Sequence, residues 1–170
     1  NTDAVQRTTG FVSSLNGGFL SRRTSQSSTY LFPVGSSIGT LRYRPVEINP
    51  VIANNTFTVR MANVDATLES FDRSLTDIDV CELNPLYYHQ INRTIGSGHI
   101  DLKVYYDELL DGSWGGLSNW KQINNQWEYI QNSESITANP LSYATSSDWS
   151  TFTDEPYILT HINETPVFDP

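Results

Sequence analysis

Ile100-Asp101-Leu102-Lys103-Val104-Tyr105-Tyr106 sets Ile100, Leu102, Val104 and Tyr106 against Asp101, Lys103 and Tyr105. Successive side chains of an extended chain point to opposite faces, so the alternation predicts a strand with one buried and one solvated face. Residues 56–62 repeat it, with Phe57, Val59 and Met61 against Thr56, Thr58 and Arg60, behind the polar turn Asn54-Asn55. Residues 40–48 do so again, with Leu41, Tyr43 and Pro45 on one side and Arg42, Arg44 and Val46 on the other. Such alternation belongs to antiparallel sheets; strands of a parallel sheet are buried on both faces and read as continuous apolar runs.

Working outward, strands are predicted at residues 10–15 and 18–23, split by the turn signal Asn16-Gly17-Gly18, and at 29–34, stopped by Pro33 and Gly35. Others follow at 78–83, 86–95, 117–123, 126–131, 148–153 and 157–162, with Gly96-Ser97-Gly98 as a turn. About ten short strands at this spacing predict an all-β domain, an immunoglobulin-like β-sandwich with Greek-key connections. The sequence shows no internal repeat or linker, so residues 16–170 read as one domain, with residues 1–15 as an N-terminal extension.

The composition suits short strands joined by polar turns. Lysine occurs only at Lys103 and Lys121, and methionine only at Met61. With 10 basic and 19 acidic residues the formal charge is -9, which argues against nucleic acid and against an anionic membrane surface as partners. There is no apolar run long enough for a membrane-spanning helix. The one cysteine, Cys81, excludes a disulfide within the chain and reads as a small buried hydrophobe. The chain does not begin with Met and shows no charged-then-apolar leader, so the expectation is a processed mature protein or an excised domain.

Leu31-Phe32-Pro33-Val34-Gly35, followed by Arg42-Tyr43-Arg44-Pro45-Val46, resembles a module of secreted surface proteins of Bacteroidota, in which an FPVG turn precedes a YRPV-like strand. Asn84-Pro85-Leu86-Tyr87-Tyr88-His89, with Ile91-Asn92-Arg93-Thr94, belongs to the same likeness, which spans roughly residues 11–131. The resemblance implies export and β-architecture, with no assigned catalysis. Independently of it, Pro33 has no N–H to give a ladder and suits a strand end, and Gly35 suits a tight turn.

No catalytic constellation appears. His89, His99 and His161 lack metal-ligand spacing, and there is no Gly-x-Ser-x-Gly elbow or phosphate loop. Acidic groups gather at Asp77, Asp79 and Glu82, and at Asp107, Glu108 and Asp111. The second group reads as a solvated turn; calcium is an option there, although the spacing fits a calcium loop poorly. No other cofactor is expected. Aromatic residues are more informative. In the pairs Tyr87-Tyr88 and Tyr105-Tyr106 a strand must turn one ring outward, and Trp114, in Gly112-Ser113-Trp114-Gly115-Gly116, sits in a loop that could present its ring to a glycan. Glycosylation sequons begin at Asn54, Asn92 and Asn163.

Two non-enzymatic functions follow as expectations. The first is a structural subunit of an extracellular, fimbria-like filament. Copies would polymerise by donating the N-terminal strand, through Val5, Phe11, Val12 and Leu15, to an incomplete sandwich in the next copy. The second is a carbohydrate-binding or adhesin module at the cell surface, built on exposed aromatic rings.

Overall fold

The computed structural model describes residues 7–14 and 17–163, which form fifteen strands and little helix. A five-stranded sheet runs β13 (Glu134–Ile136), β14 (Ser142–Trp149), β10 (Ile100–Tyr106), β6 (Val46–Pro50), β3 (Tyr30–Phe32). A seven-stranded sheet runs β12 (Gln126–Tyr129), β11 (Gly116–Lys121), β15 (Pro156–Ile162), β9 (Tyr88–Ile95), β7 (Thr56–Ala62), β2 (Leu20–Arg23). Its last member, β8 (Val80–Leu83), pairs with β15 beyond the end of β9. All ladders in these two sheets are antiparallel. The fold is the expected all-β sandwich.

The inner faces of the two sheets make the main core. Tyr30, Phe32, Val46, Ile48, Leu102, Val104 and Tyr106 come from one side, and Phe57, Val59, Ile91, Leu117, Tyr157 and Leu159 from the other. The alternation in residues 100–106 and 56–62 is realised residue by residue. A second core lies on the other face of the seven-stranded sheet. There Tyr88, Trp120, Trp127 and Ile158 are covered by Ala66 and Phe71 of the segment between β7 and β8. This explains why Tyr87 and Tyr88 are both buried, against the expectation that one ring points to water: each enters a different core.

The Phe-Pro-Val-Gly and Arg-Tyr-Arg-Pro-Val stretches form one hairpin that serves two sheets. β3 pairs with β6, and β4 (Val34–Ser36) pairs with β5 (Arg42–Tyr43), in a single unbroken register. That register sets Pro33 opposite Pro45. Neither has an N–H, so the ladder opens there and the chain passes from the five-stranded sheet to a small third sheet, β1 (Val12–Ser13), β4, β5. The Asn84-Pro85 stretch likewise marks a break, between β8 and β9. The Asn84 N–H donates to the Leu159 carbonyl (3.0 Å), while its Oδ1 accepts from the Leu86 amide (2.9 Å).

Other boundaries shift. The strand expected at 148–153 lies at Ser142–Trp149, β13 was not anticipated, and β1 and β2 pair in different sheets instead of with each other. Cys81 is exposed, which corrects the buried reading. On β8 it is Val80 and Leu83 that turn into the second core.

Candidate functional site

The outer face of the five-stranded sheet carries a groove. Along it Leu31, Glu47 and Lys103 are cross-strand neighbours, and Tyr105 lies opposite Tyr143. Side chains at directly opposed positions on antiparallel strands touch, and here the two rings sit 5.4 Å apart at an interplanar angle of 52°. Tyr105 is half-buried while Tyr106 is in the core, so this adjacent pair does place one ring outward. With Tyr43, Pro45 and residues 138–141, these tyrosines line a cavity of about 450 Å³. A neighbouring cavity of about 530 Å³ continues it past Tyr43 towards Leu41, Phe11 and Leu110.

The charges of the groove are arranged over its rings. The Lys103 ammonium lies 4.7 Å from the Tyr143 centroid and 3.9 Å from the Glu47 carboxylate. The Arg7 guanidinium lies 3.8 Å over the Tyr43 ring. Burial, reinforced by Glu47, raises the Tyr105 hydroxyl well above its ordinary pKa, so it stays protonated and can donate.

Next to the groove lies a buried ion cluster. Arg42, Arg44 and Val46 face inward, and Leu41, on the opposite side of the strand, is exposed. The Asp111 side chain is fully buried, at the end of a short helix α1 (Glu108–Asp111). It accepts from Arg42 Nε (3.3 Å), from both Arg44 Nε and Nη2, from the Tyr87 hydroxyl (3.0 Å) and from the Asp107 amide (3.0 Å). Burial alone would raise the Asp111 carboxyl. Arg44, the Asp107 amide and Tyr87 outweigh it and hold the group below the ordinary carboxylate range. The solvated-turn reading is therefore corrected at Asp111, whose oxygens are taken up by protein donors.

His89 completes the cluster. Its Nε2 is 2.9 Å from the Arg44 carbonyl, and a carbonyl can only accept, so Nε2 carries the proton. Burial pulls its pKa down to about 4, with the carbonyl contact opposing. The unfolded chain, with histidine near 6.5, thus binds this proton more readily than the fold does. The stability held by neutral His89 is fully present above pH 6.5 and drains as pH falls towards about 4. We expect urea titrations to show a loss of about 3 kcal/mol across that window. His89→Gln should remove most of this slope.

The residues singled out from sequence fall in different places. Trp114 is 8 % exposed, donates through Nε1 to the Asp111 carbonyl (3.0 Å) and lies 5.0 Å from the His161 ring. It fills the core beneath α1 and presents no face to a glycan, which corrects the loop-platform expectation. Val12 and Phe11 lie on their own domain. Val12 pairs with Val34 and Ser13 with Gly35 in parallel, and Phe11 stacks 6.3 Å from Tyr43. Val5 and Leu15 lie outside the described residues. Asn54 is exposed, with Oδ1 accepting from Arg23 (3.2 Å). Asn92 is half-buried within β9, and Asn163 donates to the Ile78 carbonyl (2.7 Å). Tyr43 and Tyr143, by contrast, were not singled out. A sheet register was needed to set them beside Tyr105.

Fold and groove together define an all-β sandwich with an aromatic-lined outer face. No family model matches the chain, and no curated protein or solved structure shows significant similarity to it.

Proposed function

We propose that this domain is a non-catalytic, extracellular binding module that holds an extended glycan along the groove. The observation that carries it is the Tyr105–Tyr143 pair, two rings fixed by strand register on a solvated face and walled by Pro45 and residues 138–141. Tyrosine offers an apolar face for sugar C–H groups and a hydroxyl for their oxygens. The cavity is in the size range of ligand sites. The resemblance to exported Bacteroidota modules supports the extracellular setting. On a glycan array followed by calorimetry, Tyr105→Ala and Tyr143→Ala should each weaken binding about tenfold, or about 1.4 kcal/mol, with the thermal midpoint little changed. Absence of any glycan ligand, unchanged binding in the double variant, or preference for a proline-rich peptide would sink this reading.

A second reading, the filament subunit, is favoured by one observation. Among the described residues the N-terminal strand makes two ladder pairs, with Phe11 lying over Gly35, so the same seat could receive the strand of another copy. Closing that seat with Gly35→Ala should then abolish polymers visible by electron microscopy of the purified chain.

A further inference from the structure

Resting on the glycan reading, we infer that the groove selects a sugar chain bearing carboxylates, of the uronic-acid kind, and that Arg7 is the residue that grips the carboxylate. The argument starts from the charges that face the groove. Glu47 is held by Lys103, at 3.9 Å, and its charge adds to burial in raising the pKa of the Tyr105 hydroxyl beside it. Asp107 turns its Oδ1 to the Leu109 amide (3.0 Å), and Arg44 is committed to Asp111. Arg7 differs. Its Nε donates to the Gly10 carbonyl, its guanidinium rests 3.8 Å over Tyr43, and among the described residues no carboxylate lies within ion-pair distance of it.

A guanidinium laid on an aromatic face keeps its remaining N–H groups in plane and pointing outward, in the fork geometry that matches a carboxylate. Arg7 borders both cavities of the groove, so it sits at the junction where a sugar stacked on Tyr105 and Tyr143 would continue past Tyr43. The whole chain carries a charge of -9 and repels anions at long range. Among the described residues Arg7 is a groove cation with no carboxylate partner, and it therefore acts as a short-range selector.

The test is calorimetry with matched pairs of oligosaccharides, each uronic-acid chain set against its neutral methyl ester. The expected result is at least about tenfold tighter binding of the acid form, about 1.4 kcal/mol. Arg7→Gln should erase the difference with an unchanged thermal midpoint, and Arg7→Lys should restore part of it. If acid and ester bind equally, or only neutral chains bind, this inference falls. The groove reading would still stand if Tyr105→Ala weakened that binding. If no member of any pair binds, both fall.

Discussion

Asp111→Ala should destabilise the fold by about 3–5 kcal/mol, the cost of breaking a buried ion pair from one side. The substitution leaves Arg42 and Arg44 in the interior, 8 % and 3 % exposed, without the carboxylate that both of them address. It also strands the Tyr87 hydroxyl, which donates to Oδ2 of the same carboxylate. For a chain of this size the thermal midpoint should fall by roughly 10 °C. Asp111→Asn should be milder, since one amide oxygen can still accept. A change below about 1 kcal/mol for alanine would mean that the arginines relax to water, and that the cluster does not hold α1 in place. The pH sign follows from the depressed carboxyl. The stabilisation from Asp111 is present above the ordinary carboxylate range and is lost as pH falls through its folded-state value. Acid therefore weakens the cluster twice, first at His89 and then at Asp111.

Gly35→Ala is the second large effect. A Cβ built at Gly35 would stand 2.4 Å from the Arg42 carbonyl oxygen and 2.8 Å from the Phe11 ring. The oxygen belongs to the paired strand and cannot swing away as a side-chain tip would. Forced overpacking costs about 1–3 kcal/mol, and this site should lie at the upper end. Expelling Phe11, and with it the N-terminal strand, relieves the ring contact, while the carbonyl contact also forces β4 to shift against β5. Hydrogen exchange should therefore accelerate at the Val12 and Ser14 amides, which donate to Pro33 and Gly35 carbonyls at 2.7 and 3.3 Å. Unchanged protection there would show that β4 and β5 part while the N-terminal strand stays in place.

The strands that decide the sandwich were legible because alternation reports directly which side is buried, as at residues 56–62 and 100–106. Residues 40–48 show the limit. Their alternation is real, but it is the arginine side that turns inward, because the compensating Asp111 lies 67 residues from Arg44 in sequence. Nothing local in the sequence reveals such a pairing. Trp114 misled for a related reason: its glycine-flanked loop looks exposed, yet the ring is buried in the main core, against the distant His161 and with Nε1 on the Asp111 carbonyl. The groove was half visible. Tyr105 follows from its adjacent Tyr106, whereas Tyr143 sits in a run of serines, threonine and alanine with little strand signal. It becomes a site residue only through its register with Tyr105.

The facing prolines in the split hairpin bear on how a ligand would be met. Pro45 and Tyr43 both line the groove, so part of its wall is built where the ladder opens. That part of the wall is set by ring closure in the main chain and by missing donors, not by side-chain rotamers that a ligand would have to freeze. For the proposed glycan this part of the surface is shaped before any encounter, and more of the entropy cost of association falls on the incoming chain. Stiff ligands, already extended in solution, should be favoured over flexible ones of the same composition.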